Sequence, residues 1–157
     1  MKQRTRARSV ALQVLYEIDF TGHQPVKALE NRFLEEEITE KKLIEFAEQI
    51  VYGVWPITEQ LDKFITQHAP EWPLDQVAAI DRNILRIALW EFAVKGCTPV
   101  KVAINEAIEL SKIYGSESTS RFVNGVLGSL ADRRNEIKQA FESEIAKDSD
   151  SQSDKVE

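Results

Sequence analysis

One cysteine and two histidines are all that the 157 residues offer to thiol, imidazole or soft-metal chemistry. A lone Cys97 rules out an internal disulfide and any zinc site built on several thiolates, and it points to a reducing compartment. His23 and His68 do not stand at metal-ligand spacing, and neither belongs to a Cys/His cluster. The six glycines form no phosphate-cradling loop and no nucleophile elbow. No apolar run approaches the roughly 20 residues that a bilayer span requires. The N-terminus is basic but lacks the apolar region and small-residue cleavage site of a signal peptide. These absences lead us to expect a cytoplasmic protein with no membrane span, no metal and no cofactor.

What is present suits a folded domain. Hydrophobic residues make up 43% of the chain and charged residues 29%, an ordinary balance for a globular protein. Charge is unevenly placed within the formal net of −6. Lys2, Arg4, Arg6 and Arg8 open the chain with no acid among them. At the other end Glu142, Glu144, Asp148, Asp150, Asp154 and Glu157 outweigh Lys147 and Lys155. That second stretch is serine-rich and poor in large apolar residues, so disorder is expected there. The division is then a helical domain over 1–141 and an acidic tail over 142–157. Net charge alone would count against a polyanion as partner, so each patch must be weighed separately.

Helical periodicity runs through the domain. Ala7, Val10, Ala11, Val14, Leu15 and Ile18 form one apolar face, with Thr5 as the expected N-cap and Gly22 as the stop. Leu12, Tyr16 and Phe20 make a second stripe on the same helix. Pro25 suits the first turn of a short helix packing through Leu29, Phe33 and Leu34. Thr39 is expected to cap a longer helix, and Pro56 to kink or break it before Leu61. The prolines of residues 69–73 mark a connector, followed by a short helical turn over 74–79. Ile84, Leu85, Ala88, Leu89 and Phe92 form a strongly amphipathic helix ending near Gly96. Pro99 opens the next, which stops at Gly115. Ser118 or Thr119 is expected to cap a last helix that fades near residue 146. No segment alternates with period two, so the fold class is all-α, a compact single-domain bundle of roughly six to eight helices.

Catalytic constellations are absent. Asp81 and Glu91 read as solvated carboxylates on a polar helix face, and Cys97 as an inert, buried small apolar residue. Binding signals are better. Arg4, Arg6 and Arg8 oppose the dipole of the first helix at about 0.3–1 kcal/mol each when exposed. A phosphate bound there would reverse that sign, because free N–H groups and guanidinium forks both favour an anion. The competing reading is a basic end that merely aids solubility. Lys101, Asn105 and Lys112 share a polar side of the Pro99–Gly115 helix, which taken alone reads as solvated. In Arg121-Phe122-Val123-Asn124-Gly125-Val126-Leu127-Gly128 each glycine costs about 1 kcal/mol against alanine. Tight helix packing is the favoured compensation, and direct approach of a ligand is the alternative.

Three stretches carry a resemblance to a known family. They are Arg6-Ala7-Arg8 with Ala11-Leu12-Gln13-Val14-Leu15-Tyr16; Asp81 to Glu91, reading DRNILRIALWE; and VAINEAIEL (102–110) with RFVNGVL (121–127). Over residues 4–134 the chain resembles the NusB family of bacterial transcription antitermination factors. The resemblance implies an all-helical RNA-binding protein without enzymatic activity. It implies binding to box A RNA of ribosomal RNA leaders, together with the small-subunit ribosomal protein that acts as NusE. The pair would help to load an antitermination complex on RNA polymerase. By position, Arg4, Arg6, Arg8, Lys101, Lys112, Arg121 and Phe122 would lie along the RNA, although the helical phase of Phe122 also suits the core. Tyr16, Asp75, Asp81 and Arg86 would face the protein partner. Ser118 stands where related proteins often carry an acid, and the acidic tail has no counterpart in the motifs. A related helical domain precedes ribosomal RNA cytosine methyltransferases, but this chain has no room for their catalytic domain. Oligomeric state stays open, with a homodimer through the RNA-facing surface as one option. The rival reading is a helical protein–protein adaptor without RNA specificity.

Overall fold

The computed structural model describes residues 2–68 and 76–154, with side chains described for 2–67 and 76–144. Eight α-helices make up the fold among the described residues: α1 (Gln3–Thr21), α2 (Pro25–Glu35), α3 (Lys41–Val54), α4 (Thr58–His68), α5 (Ala79–Leu89), α6 (Val100–Tyr114), α7 (Glu117–Ala131) and α8 (Arg134–Asp154). There are no strands among those residues, so the all-α expectation holds.

Two helices organise the rest. The apolar face of α1 packs on α3, α2 and α5, burying Ala7, Val10, Ala11, Val14 and Leu15. Its second stripe divides: Leu12 is fully buried, while Tyr16 and Phe20 reach the surface. The other organiser is α5, which continues without a break as a π-helical turn over Trp90–Lys95 and ends on left-handed Gly96. Every residue from Asn83 to Ala93 is buried, the pattern of a helix enclosed on all sides. Helices α1, α3, α4, α6 and α7 surround α5, and α8 packs on its π-helical turn. Phe141 of α8 meets Phe64 of α4 with ring centroids 4.7 Å apart, which closes the bundle.

Local punctuation explains several boundaries. Pro56 lies in a 3-10 turn (Trp55–Ile57) between α3 and α4, because a proline there removes a helical N–H and crowds the preceding turn. Thr39 proves to lie one residue outside the N-cap of α3, which is Glu40. The α7 cap also falls earlier than expected. The Ser116 hydroxyl accepts from the Thr119 N–H, and the Thr119 hydroxyl accepts from the Ser116 N–H. This reciprocal arrangement satisfies two otherwise free donors. Thr5, the expected cap of α1, lies inside the helix and donates to Glu106.

The close approach expected at Gly125 and Gly128 is found at Gly53 instead. A Cβ at Gly53 would come within 2.3 Å of the Trp90 indole, whereas nothing lies within 4 Å of a Cβ built on Gly125 or Gly128. Helical backbone of α8 runs from Arg134 through Asp154. Among the described side chains of α8, the buried apolar ones end at Phe141. The connector over 69–73 and the start of the turn after it lie outside the described residues.

Candidate nucleic-acid interface

Arg4, Arg6 and Arg8 share one turn of α1 but have different surroundings. Arg4 is exposed, with its guanidinium 4.8 Å from the centroid of the Phe46 ring. It joins Gln3, Lys42 and Gln49 around a small groove between α1 and α3. Arg6 is half-buried, and one nitrogen donates at 3.4 Å to the Glu36 carbonyl.

Arg8 is only 3% exposed, and this corrects the expectation that it faces RNA. Its Nε and Nη2 grip the Glu91 carboxylate at 2.7–3.1 Å, and Nη1 lies 3.5 Å from Glu106. Glu91 is 1% exposed and also accepts from the Thr98 hydroxyl at 2.9 Å, so it is a core anion and not a solvated one. Burial pulls the Arg8 pKa down, but hydrogen bonding and the charges of Glu91 and Glu106 outweigh it, so the guanidinium is held above its ordinary value. A signal was present in the sequence: Glu91 is the one charged residue in the apolar run from Ile87 to Val94, between Trp90 and Phe92. A carboxylate enclosed in that way needs a cation.

Arg86 is the second correction. Expected to face a partner protein, it is buried and forms paired 2.7 Å bonds to Asp62, with Asp19 at 3.0 Å and Asn83 at 3.1 Å. Here too burial opposes the charge, while Asp62 and Asp19 raise the pKa. This cluster ties α5 to α1 and α4 and leaves no donor fork for another molecule.

Side-chain hydrogen bonds join the helices that carry the remaining basic residues. Thr5 meets Glu106 at 3.2 Å, while Ser9 and Gln13 meet Tyr114, so α1 and α6 run in the same direction. Ser111 and Ser120 hold α6 against α7 at 2.9 Å. Lys101 and Arg121 are exposed; Lys112 is exposed and lies 3.3 Å from Glu109. Arg4, Arg6, Lys101, Lys112 and Arg121 therefore stand on three consecutively joined helices.

Two grooves flank the start of α5. One, of about 690 Å³, lies between α1 and α5 and is lined by Tyr16, Phe20, Arg32, Ile80 and Tyr114 among others. Tyr16 is 41% and Phe20 66% exposed, with their rings 4.8 Å apart, an apolar surface of the kind that protein partners cover. The other, of about 530 Å³, lies between α5 and α7 and is lined by Asp81, Ser118, Thr119, Arg121, Phe122 and Gly125. Phe122 is half-buried, packed against the core and also lining this groove, so it belongs to both settings that its phase allowed. Asp81 lies here and not in the Tyr16 groove. Its Oδ1 is shielded from solvent without a hydrogen-bond partner, and desolvation raises its pKa. Asp75 lies outside the described residues.

Other chemistry is sparse. Cys97 is exposed, contrary to the buried reading. Among the described residues no group of three or more His, Cys, Asp or Glu side chains could hold a metal ion, and no helix is long and apolar enough to cross a membrane.

Comparison with known proteins decides the kinship. The model of the NusB family matches residues 5–132. The chain belongs to the NusB family. The transcription antitermination protein NusB of Roseiflexus sp. (strain RS-1) is 45% identical over 138 residues, covering 87% of this chain and 96% of the relative. The protein of that name from Bacillus subtilis (strain 168) is 41% identical over 140 residues, covering 89% and 100%. Among solved structures, a crystal structure of antitermination factors NusB and NusE in complex with dsRNA matches with a TM-score of 0.76 and 28% identity. It covers 89% of this chain and 98% of that one. NusB from T. maritima matches with a TM-score of 0.72 and 29% identity, covering 88% and 92%. Membership of the family accounts for the shared bundle; the pairing of Arg8 with Glu91 and of Arg86 with Asp62 comes from this chain's own structure.

Proposed function

We propose that this protein is a transcription antitermination factor that binds box A RNA of ribosomal RNA leader transcripts together with the small-subunit ribosomal protein acting as NusE. The observation that carries the reading is near-full-length similarity to proteins named for antitermination. The likeness to a NusB chain solved with NusE and dsRNA supports it further. The role is binding and not catalysis. Arg4, Arg6, Lys101, Lys112 and Arg121 contact RNA phosphates, and Phe122 offers an aromatic edge to the bases. Tyr16 and its apolar groove receive the protein partner. The two surfaces flank one helix start, so partner and RNA are bound side by side, and the pair helps to assemble the antitermination complex on RNA polymerase.

The apolar groove by itself favours the rival reading, an adaptor that binds only protein. Fluorescence anisotropy with a box A oligoribonucleotide and a scrambled control, each with and without the ribosomal partner, separates the two. We expect tighter binding of box A than of the control, with a further gain when the partner is added. Equal binding of both oligonucleotides under both conditions would favour the adaptor.

A further inference from the structure

Tyr16 and Phe20 occupy one side of α1, and Ile18 and Asp19 point to the opposite side of the same turns. There they border a groove of about 500 Å³ that neither the RNA surface nor the partner surface described above includes. It lies between α1 and the turn that joins α3 to α4. Ile18, Trp55 and Pro56 line it with apolar surface, and Asp19 and Glu59 line it with carboxylates. Trp55 is 43% exposed, so much of its indole is open to a visitor.

The charge beside that indole is negative and incompletely balanced. Asp19 and Asp62 share the single guanidinium of Arg86, so this cluster carries an excess negative charge. The bonds that Asp19 receives from Asn83 and Arg86 both end on Oδ2, and Oδ1 has no donor among the described residues. Glu59 is exposed and forms no ion pair among those residues. An aromatic face beside unpaired carboxylates attracts a cation and repels a phosphate chain. The 13 positions from Arg6 to Asp19 also set the groove about 20 Å along α1 from the basic helix start.

We propose that this groove docks an arginine side chain of a protein partner. A guanidinium is planar, so it stacks on an indole while its N–H fork meets a carboxylate. An ammonium is a more strongly hydrated point charge and gains less there. The apolar walls at Ile18 and Pro56 suit the methylene stem of the same side chain. This docking depends neither on the RNA-binding reading nor on the Tyr16 groove.

The test follows the nitrogen–proton correlation spectrum of the full chain during titration with acetyl-Gly-Gly-Arg-Gly-Gly-amide. Two control peptides replace the arginine by lysine or by citrulline, its neutral isostere. The chain has three tryptophans, and the indole signal lost in Trp55→Phe identifies the one to follow. The arginine peptide should shift the Trp55 indole and the Asp19 and Glu59 amides along one saturable curve. It should bind about tenfold more tightly than the citrulline peptide, as one cation–π contact and one part-exposed ion pair together allow. The lysine peptide should fall between them. Trp55→Ala and Glu59→Gln should each weaken binding by about threefold. No saturable shift at Trp55, or equal affinity for arginine and citrulline, would overturn the proposal. Movement of the same signals by box A RNA in place of the peptide would overturn it too. The arginine and citrulline arms use unaltered protein, so a folding defect in a variant cannot hide the answer.

Discussion

Arg6 and Arg8 stand two residues apart on α1, while the first turn of that helix and the enclosed length of α5 make opposite demands on charge. At the helix start Arg4 and Arg6 remain near solvent, Arg4 against a ring face and Arg6 donating to a carbonyl with the Glu40 carboxylate near enough to feel its charge. Inside the bundle Arg8 and Arg86 meet carboxylates in paired geometry, with few donors left over. One side chain type thus does two jobs, and the surroundings decide which. A guanidinium with its carboxylate supplied within the fold holds helices together, and one without remains available to a polyanion.

The largest expected effect breaks the interior pair. Arg8→Ala leaves Glu91 buried without its cation and should destabilise the protein by about 3–5 kcal/mol in urea unfolding, as removal of one partner of a buried pair does. The double change Arg8→Met with Glu91→Leu should recover most of that loss, because it removes the uncompensated charge. A single variant as stable as the wild type would show that the pair contributes nothing to the fold.

Arg86 sharpens the contrast at smaller scale. Its partners Asp62 and Asp19 retain 29% and 27% exposure, so water can solvate them when the arginine is lost. Arg86→Ala should therefore cost less than Arg8→Ala, roughly 1.5–3 kcal/mol as for hydrogen bonds to charged groups. Unfolding curves of the two variants side by side give the order, and the reverse order would contradict the burial argument.

The smallest effect concerns pH. Desolvation raises the Asp81 pKa in the folded state, so the native protein holds this proton more tightly than the unfolded chain does. The stability linked to it is complete below the unfolded carboxyl range and declines as pH rises through the folded value. Asp81→Asn should accordingly be slightly more stable than the wild type at neutral pH, with the difference shrinking as the medium is acidified. Thermal melts across that range would show it. A variant that is less stable at neutral pH would mean that the charge is compensated.

Much of the bundle is readable from periodicity, because an apolar stripe every three to four residues reports burial directly. The α5 core, the break at Pro56 and the stop at Gly115 all follow from such local rules. Arg8 and Glu91 are different. They stand 83 positions apart, and no local pattern reports which cation an enclosed carboxylate will meet. The same limit hid the Gly53–Trp90 approach, since the indole comes from a distant helix. No close approach is found at Gly125 or Gly128, because a glycine's cost in a helix says nothing about whether the space beside it is filled. The C-terminal helix extends beyond its buried face, where good helix formers such as Glu142, Glu144, Ala146 and Lys147 favour helix by propensity alone. Of the proposed site, the exposed basic residues were legible as surface charge, whereas the groove that joins Asp81 to Phe122 exists only once α5 and α7 are packed.

The salt dependence of box A RNA binding tests the division of labour between the arginines most directly. Each phosphate contact contributes about 0.7 to the slope of log affinity against log salt for a single strand. The double variant Arg4→Ala with Arg6→Ala should keep its unfolding midpoint nearly unchanged and lose about 1.4 from that slope. An unaltered slope in a folded variant would contradict the account.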